Sequence, residues 1–203
     1  MDSLKQDKGL GTTVIGLSGL ARSGKDTLCE LLIEEFKSQG IRAKRFALAD
    51  ELKKDLQDLC MRKFGIDPMC CSSEEKSIIR PLLVAYGFAH RKMSEGKYWT
   101  AKLQRKIFES MTLGHCDIAI ITDIRYAEYE EDETFWLANR MCGILIHVSR
   151  LREDGTLILP PNSDEERNDP FIEKAAHFKI KWPTTDREGQ LPFVKELIKN
   201  AYD

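Results

Sequence analysis

The stretch Gly19-Leu-Ala-Arg-Ser-Gly-Lys-Asp-Thr27 constrains this chain more than any other. Its spacing, G-x-x-x-x-G-K, is that of a phosphate-binding loop, and its surroundings are the ones such a loop requires. "TVIGLS" (13–18) before it is a short apolar run expected to form a buried strand. Leu28, Leu31, Leu32 and Phe36 after it recur at helical spacing and are closed by Gly40. The chemistry explains the residue types. Backbone N–H groups can curl around a phosphate only where the main chain is permissive, which glycine provides. A helix starting at Gly24 turns its unpaired N–H groups and positive dipole end on the same anion. Lys25 adds a point charge for the β- and γ-phosphates.

Further along, "IRAKRFAL" (41–48) reads as a second strand, and Leu48, Leu52, Leu56, Leu59 and Cys60 mark an amphipathic helix. The loop "IDPMCCSSEEKS" carries a helix N-cap signal at Ser72–Ser73. Helices are expected over roughly 79–93 and 97–111, an acidic one from about 126 to 140, and a last one carrying Leu191, Val194, Leu197 and Ile198. "DIAIITD" (117–123), "CGILIHVSR" (142–150) and "FKIKW" (178–182) read as strands. Residues 151–170 are polar, contain Pro160, Pro161 and Pro170, and are expected to be a long mobile loop. Strands alternating with helices favour a parallel sheet covered on both faces.

With 203 residues, the chain suits one domain of this kind, and its net charge of −2 gives no global attraction to nucleic acid or to an anionic membrane. Any anion site must therefore be local. No run is long or apolar enough to span a bilayer, and the opening Met-Asp-Ser-Leu-Lys-Gln-Asp-Lys is too polar for a signal peptide. The six cysteines include no C-x-x-C pair and read as reduced thiols of an intracellular, cytoplasmic protein. His90, His115, His147 and His177 lack ligand spacing. The run Glu128, Glu130 to Glu133 suits a helix N-terminus rather than a metal.

Ligands of parallel α/β sheets bind beyond the carboxyl ends of the strands. Asp123 ends the third strand, either as a carboxylate reaching a metal-bound water or substrate group, or as a helix cap. Arg125 follows it and would clamp a phosphate if the turn is tight. Lys53 lies early in the helix after the second strand, where it would neutralise an acceptor phosphate, whereas Lys54 reads as a solvated side chain. Arg150, Arg152 and Arg167 follow the fourth strand, Arg150 being best placed. Asp26 stands where a Ser or Thr hydroxyl usually meets Mg²⁺, with Thr27 one position later. Asp26 either holds the metal through water or complements the helix dipole.

"GLSGLARSGKDT", "FALADELKKDL", "IITDIR" and "ILIHVSR" resemble, in that order and at similar intervals, the deoxynucleoside monophosphate kinases of bacteriophages, within the P-loop nucleoside-monophosphate-kinase-like group. The resemblance runs from about residue 13 to 199 and is loose over 62–116. It implies an α/β P-loop kinase fold with a five-stranded parallel sheet flanked by helices. In that fold 62–116 would be a helical substrate-side region and about 150–170 a mobile lid, all in one domain over 1–203. It implies ATP as donor, Mg²⁺ held near Asp26 and Thr27, and a small-molecule nucleotide acceptor rather than a nucleic acid polymer. Gly19, Arg22, Ser23, Gly24, Lys25, Asp26 and Thr27 would cradle the ATP phosphates. Lys53, Asp123 and Arg125 would serve the acceptor and Arg150 the lid, with Thr185 and Asp186 near the adenine. The family's lid histidine is absent from "NSDEERND", and Glu128 and Glu130 flank the place of its acidic residue after D-x-R.

The expected activity is transfer of the ATP γ-phosphoryl group to a (deoxy)nucleoside monophosphate, catalysed by Lys25, Arg125, Arg150 and Asp123. Kinases with an R-x-S-G-K-D loop that act on other phosphorylated metabolites, such as phosphomevalonate, remain open. So do a nucleotide-binding regulatory module without transfer, an NTPase that transfers to water, and a homodimeric state.

Overall fold

Five strands form one wholly parallel sheet in the order β2-β3-β1-β4-β5 in a computed structural model that describes residues 13–202. They are β1 (Val14–Ser18), β2 (Ala43–Phe46), β3 (Ile118–Ile124), β4 (Ile144–Leu151) and β5 (Phe178–Pro183). The opening octapeptide set aside above as a leader lies outside the described residues. The helices are α1 (Lys25–Ser38), α2 (Leu48–Phe64), α3 (Ser73–Met93), α4 (Lys97–Thr112), α5 (Glu133–Phe135), α6 (Ser163–Ala175) and α7 (Arg187–Tyr202). This is the expected fold class, an α/β five-stranded parallel sheet flanked by helices.

All five residues of β1 are buried, as befits a central strand covered on both faces. Its alternation divides the core in two. Val14, Ala119, Ile121 and Leu145 face Trp99, Leu103 and Ile107 of α4, together with Trp136 and Leu137. Ile15, Leu17, Ile120, Ile146 and Val148 face Leu28, Leu31, Leu32 and Phe36 of α1 and Val194 and Leu197 of α7. A smaller cluster of Leu56, Cys60, Ile66 and Ile79 ties α3 to α2.

Four boundaries differ from the sequence-based expectation. β2 is only Ala43–Phe46, because the chain turns at Ala47 into α2. α3 begins at Ser73 rather than near 79, started by a capping box in which Ser72 and Glu75 each bond the other's backbone N–H. The expected acidic helix over 126–140 is helical only from Glu133, with Trp136–Arg140 a π-helical turn. Asp132 takes the N–H groups of Glu128, Tyr129 and Glu133, and Glu133 takes those of Arg125 and Tyr126. Side-chain carboxylates thus satisfy the backbone in a non-helical path. Finally, the segment expected as a lid loop over 150–170 is strand to Leu151 and helix from Ser163. α6 is capped by Asn162 and carries Asp164, Glu165 and Glu166 in its first turn.

Candidate active site

The loop between β1 and α1 is held in shape from below. Gly19 has φ +123°, and a Cβ there would lie 2.2 Å from the Val148 carbonyl oxygen. Gly24 caps α1 with φ 97°, and a Cβ there would lie 2.7 Å from the Trp182 indole. Both positions need glycine for conformation and for space. Trp182 on β5 is fully buried and donates its indole N–H to the Ser23 carbonyl at 2.8 Å. Between the glycines Arg22 adopts φ 67°, uncommon for a non-glycine residue. The Ser23 hydroxyl is buried with no hydrogen-bond partner among the described residues.

Two sets of polar contacts mark the loop. The Ala21 N–H donates to a carboxylate oxygen of Glu165 on α6 at 2.6 Å. Lys25, 8% exposed, turns its ammonium back onto the Gly19 and Leu20 carbonyls, each at 2.7 Å. Burial, with repulsion from Arg125, lowers the Lys25 pKa from 10.5 to about 8, while Glu165, Asp26 and Asp169 act the other way. Arg125, at the end of β3, makes no side-chain hydrogen bond or ion pair among the described residues. Arg125 thus disfavours the charged form of Lys25, and an anion between them would relieve that repulsion.

Asp123 is engaged elsewhere. Its two oxygens accept the N–H groups of Leu48 and Ala49, each at 2.8 Å, and so cap α2 from across the sheet. Burial raises its pKa against those two bonds and Arg125. Of the two sequence-based alternatives for Asp123, these contacts are those of a helix cap, except that the helix is α2 and not the one that follows it. Lys53 reaches Asp50 at 3.4 Å, and Asp50 also takes Arg45 at 2.8 Å. Lys54 pairs with Glu51 on the exposed side of α2, as its solvated reading expected.

Asp26 is exposed and Thr27 half-buried in the first turn of α1, and neither makes a side-chain hydrogen bond among the described residues. Both are free to meet a phosphate-bound cation. No group of three His, Cys, Asp or Glu side chains among the described residues could hold a metal by itself. Arg150 bonds the Thr184 hydroxyl at 2.9 Å and the Arg22 carbonyl at 3.3 Å, fastening the end of β5 to the loop. Asp186 accepts the Gly189 N–H at 2.9 Å at the start of α7, and Thr185 lies beside it. Arg167 pairs with Glu128 and Asp164.

No protein-family model matches the chain, and no curated protein matches it. Solved structures do. A dephospho-CoA kinase from Campylobacter jejuni is similar over 93% of this chain and 98% of its own, at 18% identity and a TM-score of 0.44. The APS kinase CysC of Mycobacterium tuberculosis, solved in complex with AMPPNP and APS, is similar over 93% and 98%, at 14% identity and 0.40. A sugar kinase from Janibacter sp. HTCC2649 is similar over 93% of both chains, at 14% identity and 0.46. Likenesses of this degree leave the activity to be argued from the site.

Sequence reasoning missed four participants. Trp182 ends an expected strand with nothing to mark its N–H under the loop, and Glu165 falls in the segment expected to be a mobile loop until it is seen on Ala21. His147 is buried in β4 and meets Asp169 of α6 at 3.1 Å. Arg91 is buried against Asp132 and Glu128. Glu133 holds the Arg125–Tyr126 turn through one oxygen, at 2.6 and 3.1 Å.

Burial, with Asp132 nearby, pushes Glu133 up from 4.5 to about 8. The folded state therefore binds this proton more tightly than the unfolded chain. Its contribution to stability is complete below about pH 4.5 and is lost as pH rises towards 8. Glu133→Gln keeps an acceptor for the two N–H groups and removes the titration. Its stability relative to the parent is expected to improve steadily between pH 5 and 8, by a few kcal/mol at most. Urea unfolding midpoints measured at both pH values check this.

Proposed function

We propose that this protein is an ATP-dependent phosphotransferase whose acceptor is a small phosphorylated molecule, a (deoxy)nucleoside monophosphate first among them. The observation that carries the reading is the glycine-shaped loop after β1 with the buried Lys25 at its end, close to which Arg125, just after β3, makes no ion pair among the described residues. Phosphoryl transfer needs positioning and charge neutralisation far more than covalent help.

In this reading the N–H groups of the Gly19–Thr27 loop and the α1 N-terminus hold the donor's β- and γ-phosphates. Lys25 leaves the Gly19 and Leu20 carbonyls for the phosphate oxygens. Arg125 orients the acceptor's phosphate, whose ionised oxygen attacks the γ-phosphorus while the bond to the β–γ bridging oxygen breaks and ADP departs. Asp26 and Thr27 would hold Mg²⁺, which would supply charge neutralisation for the donor's phosphates. Asp123 keeps α2, and with it Lys53, against the acceptor side. Arg150 fixes the loop to β5, and Thr185 and Asp186 border the donor's base. The nucleotide nature of the acceptor is supported by the Lys25-Asp26-Thr27 loop ending and the Thr122–Arg125 segment.

The test is ADP formation from Mg-ATP over a panel of ribo- and deoxynucleoside monophosphates and phosphomevalonate, with a no-acceptor control. Rapid ADP release with one monophosphate class supports the proposal and names the acceptor. Release with phosphomevalonate alone would move the acceptor out of nucleotides, and equal release without acceptor would replace transfer by hydrolysis.

Glu165 adds a prediction to this scheme. Its carboxylate sits on a loop N–H that the donor phosphate needs, so ATP must displace it. Glu165→Gln weakens that competing contact and removes a like charge. It is expected to tighten ATP binding about three- to tenfold, roughly 1 kcal/mol, as read by titration calorimetry. Weaker binding in the variant would instead make Glu165 a contributor to the closed site.

A further inference from the structure

The α3 helix has an outer face that nothing among the described residues covers. Its inner side packs Ile79, Leu82, Leu83 and Tyr86 onto α2. Outside, Ile78, Val84 and Phe88 are 66%, 58% and 59% exposed and lie on one stripe with Pro81 and Ala85, an i, i+3, i+4, i+7 series. Along it runs an open groove of about 520 Å³ lined by Ser77, Arg80, Pro81, Val84, Ala85 and Phe88.

The ends of the stripe carry opposite charges. Glu74 stands at its start, and Lys92 at its close, with the ammonium 5.8 Å from the Phe88 ring centre. Neither makes an ion pair among the described residues. Eighteen residues of helix put them about 27 Å apart, too far to meet each other. Laid antiparallel on an identical helix, the stripe is its own complement. Glu74 of each copy then meets Lys92 of the other, while Phe88 meets Ile78 and Pro81 meets Ala85. A parallel arrangement would set like charges against each other. Closed two-fold pairing of one patch with itself is the commonest way such surfaces are satisfied.

We propose that the outer face of α3 is an isologous dimer interface, occupied by α3 of a second copy of this chain running antiparallel about an axis level with residue 83. The pairing concerns a surface and not the reaction, so it stands or falls independently of the acceptor assigned above.

Sedimentation velocity of the full chain, from 1 to 100 µM, tests it with four proteins. The parent is expected to dimerise in this range. Phe88→Glu is expected to sediment as a monomer throughout, and Lys92→Glu to dimerise at least tenfold more weakly. The exchange Glu74→Lys with Lys92→Glu is expected to dimerise like the parent, because opposite charges meet again in the antiparallel register. All the substitutions are at exposed positions, and circular dichroism melting checks each fold. A parent that is monomeric at every concentration, or a dimer indifferent to Phe88→Glu, overturns the proposal. So does a charge exchange that fails to restore what Lys92→Glu removes.

Discussion

Lys25→Met is expected to lower kcat/KM for phosphotransfer by at least about a thousandfold while leaving the far-UV circular dichroism spectrum unchanged. In the proposed reaction Lys25 is the cation of the phosphate loop itself, and Arg125, just after β3, serves the acceptor. Methionine is similar in volume but brings no charge, so the loss falls on the state in which charge spreads over the transferring group. Stability should change far less. The ammonium's two bonds to loop carbonyls are lost, but so is the cost of holding a buried cation beside Arg125. Steady-state kinetics with denaturant unfolding separates the two effects. A variant with unaltered turnover would remove the loop from the reaction.

The same residue carries a pH signature. With its pKa lowered to about 8, Lys25 begins to lose its proton in the free protein just above neutrality. Bound nucleotide phosphates would raise it again. Hence kcat/KM, which reports the free enzyme, should fall above about pH 8. kcat, which reports the loaded enzyme, should hold to higher pH.

Arg91→Met is expected to have the largest effect on stability, about 3–5 kcal/mol. The Arg91 guanidinium is buried, bonds Asp132 and Glu128, and lies 3.8 Å from the centre of the Tyr126 ring. Asp132 is fully buried, so its carboxylate would be stranded without a counter-charge. The double variant Arg91→Met/Asp132→Asn should recover part of the loss, since it removes the stranded charge, and the cycle measures the coupling. Activity should fall as well, because the turn held by Asp132 and Glu133 carries Arg125. Chemical denaturation and the ADP assay on the same samples test both statements. A loss below about 1 kcal/mol would show that the pair is solvated in solution.

Much of this architecture is readable from local pattern. The run 13–18 and the glycine spacing after it predict β1, the loop and α1, because a buried parallel strand and a phosphate loop each leave few residue choices. The N-cap signal at Ser72–Ser73 marks where α3 starts, ahead of the 79 expected for the helix, and α4 forms over the expected 97–111. What escaped reading depends on partners far apart in the chain. Glu165 meets Ala21 across 144 residues, and Asp123 caps a helix that begins 75 residues before it. The acidic run after Arg125 misled for a different reason. Its composition suits a helix start, but two of its carboxylates fold back on the preceding N–H groups and hold a turn. Pattern reports propensity, and these side chains answer to geometry that only the assembled sheet provides.

The indole under Ser23 also sets an order of assembly. The phosphate loop is written in the first 27 residues, yet Trp182, 159 positions beyond Ser23, supports it from beneath. A growing chain has already released the whole Gly19–Thr27 segment from the ribosome long before β5 exists to lie under it. β5 is also an edge strand, added to β4. The loop is thus encoded first and finished last, and a chain truncated before residue 182 carries the full motif without the floor that shapes it. On the proposed function, nucleotide capture would then be a late event in biogenesis, reporting that the C-terminal strand has arrived.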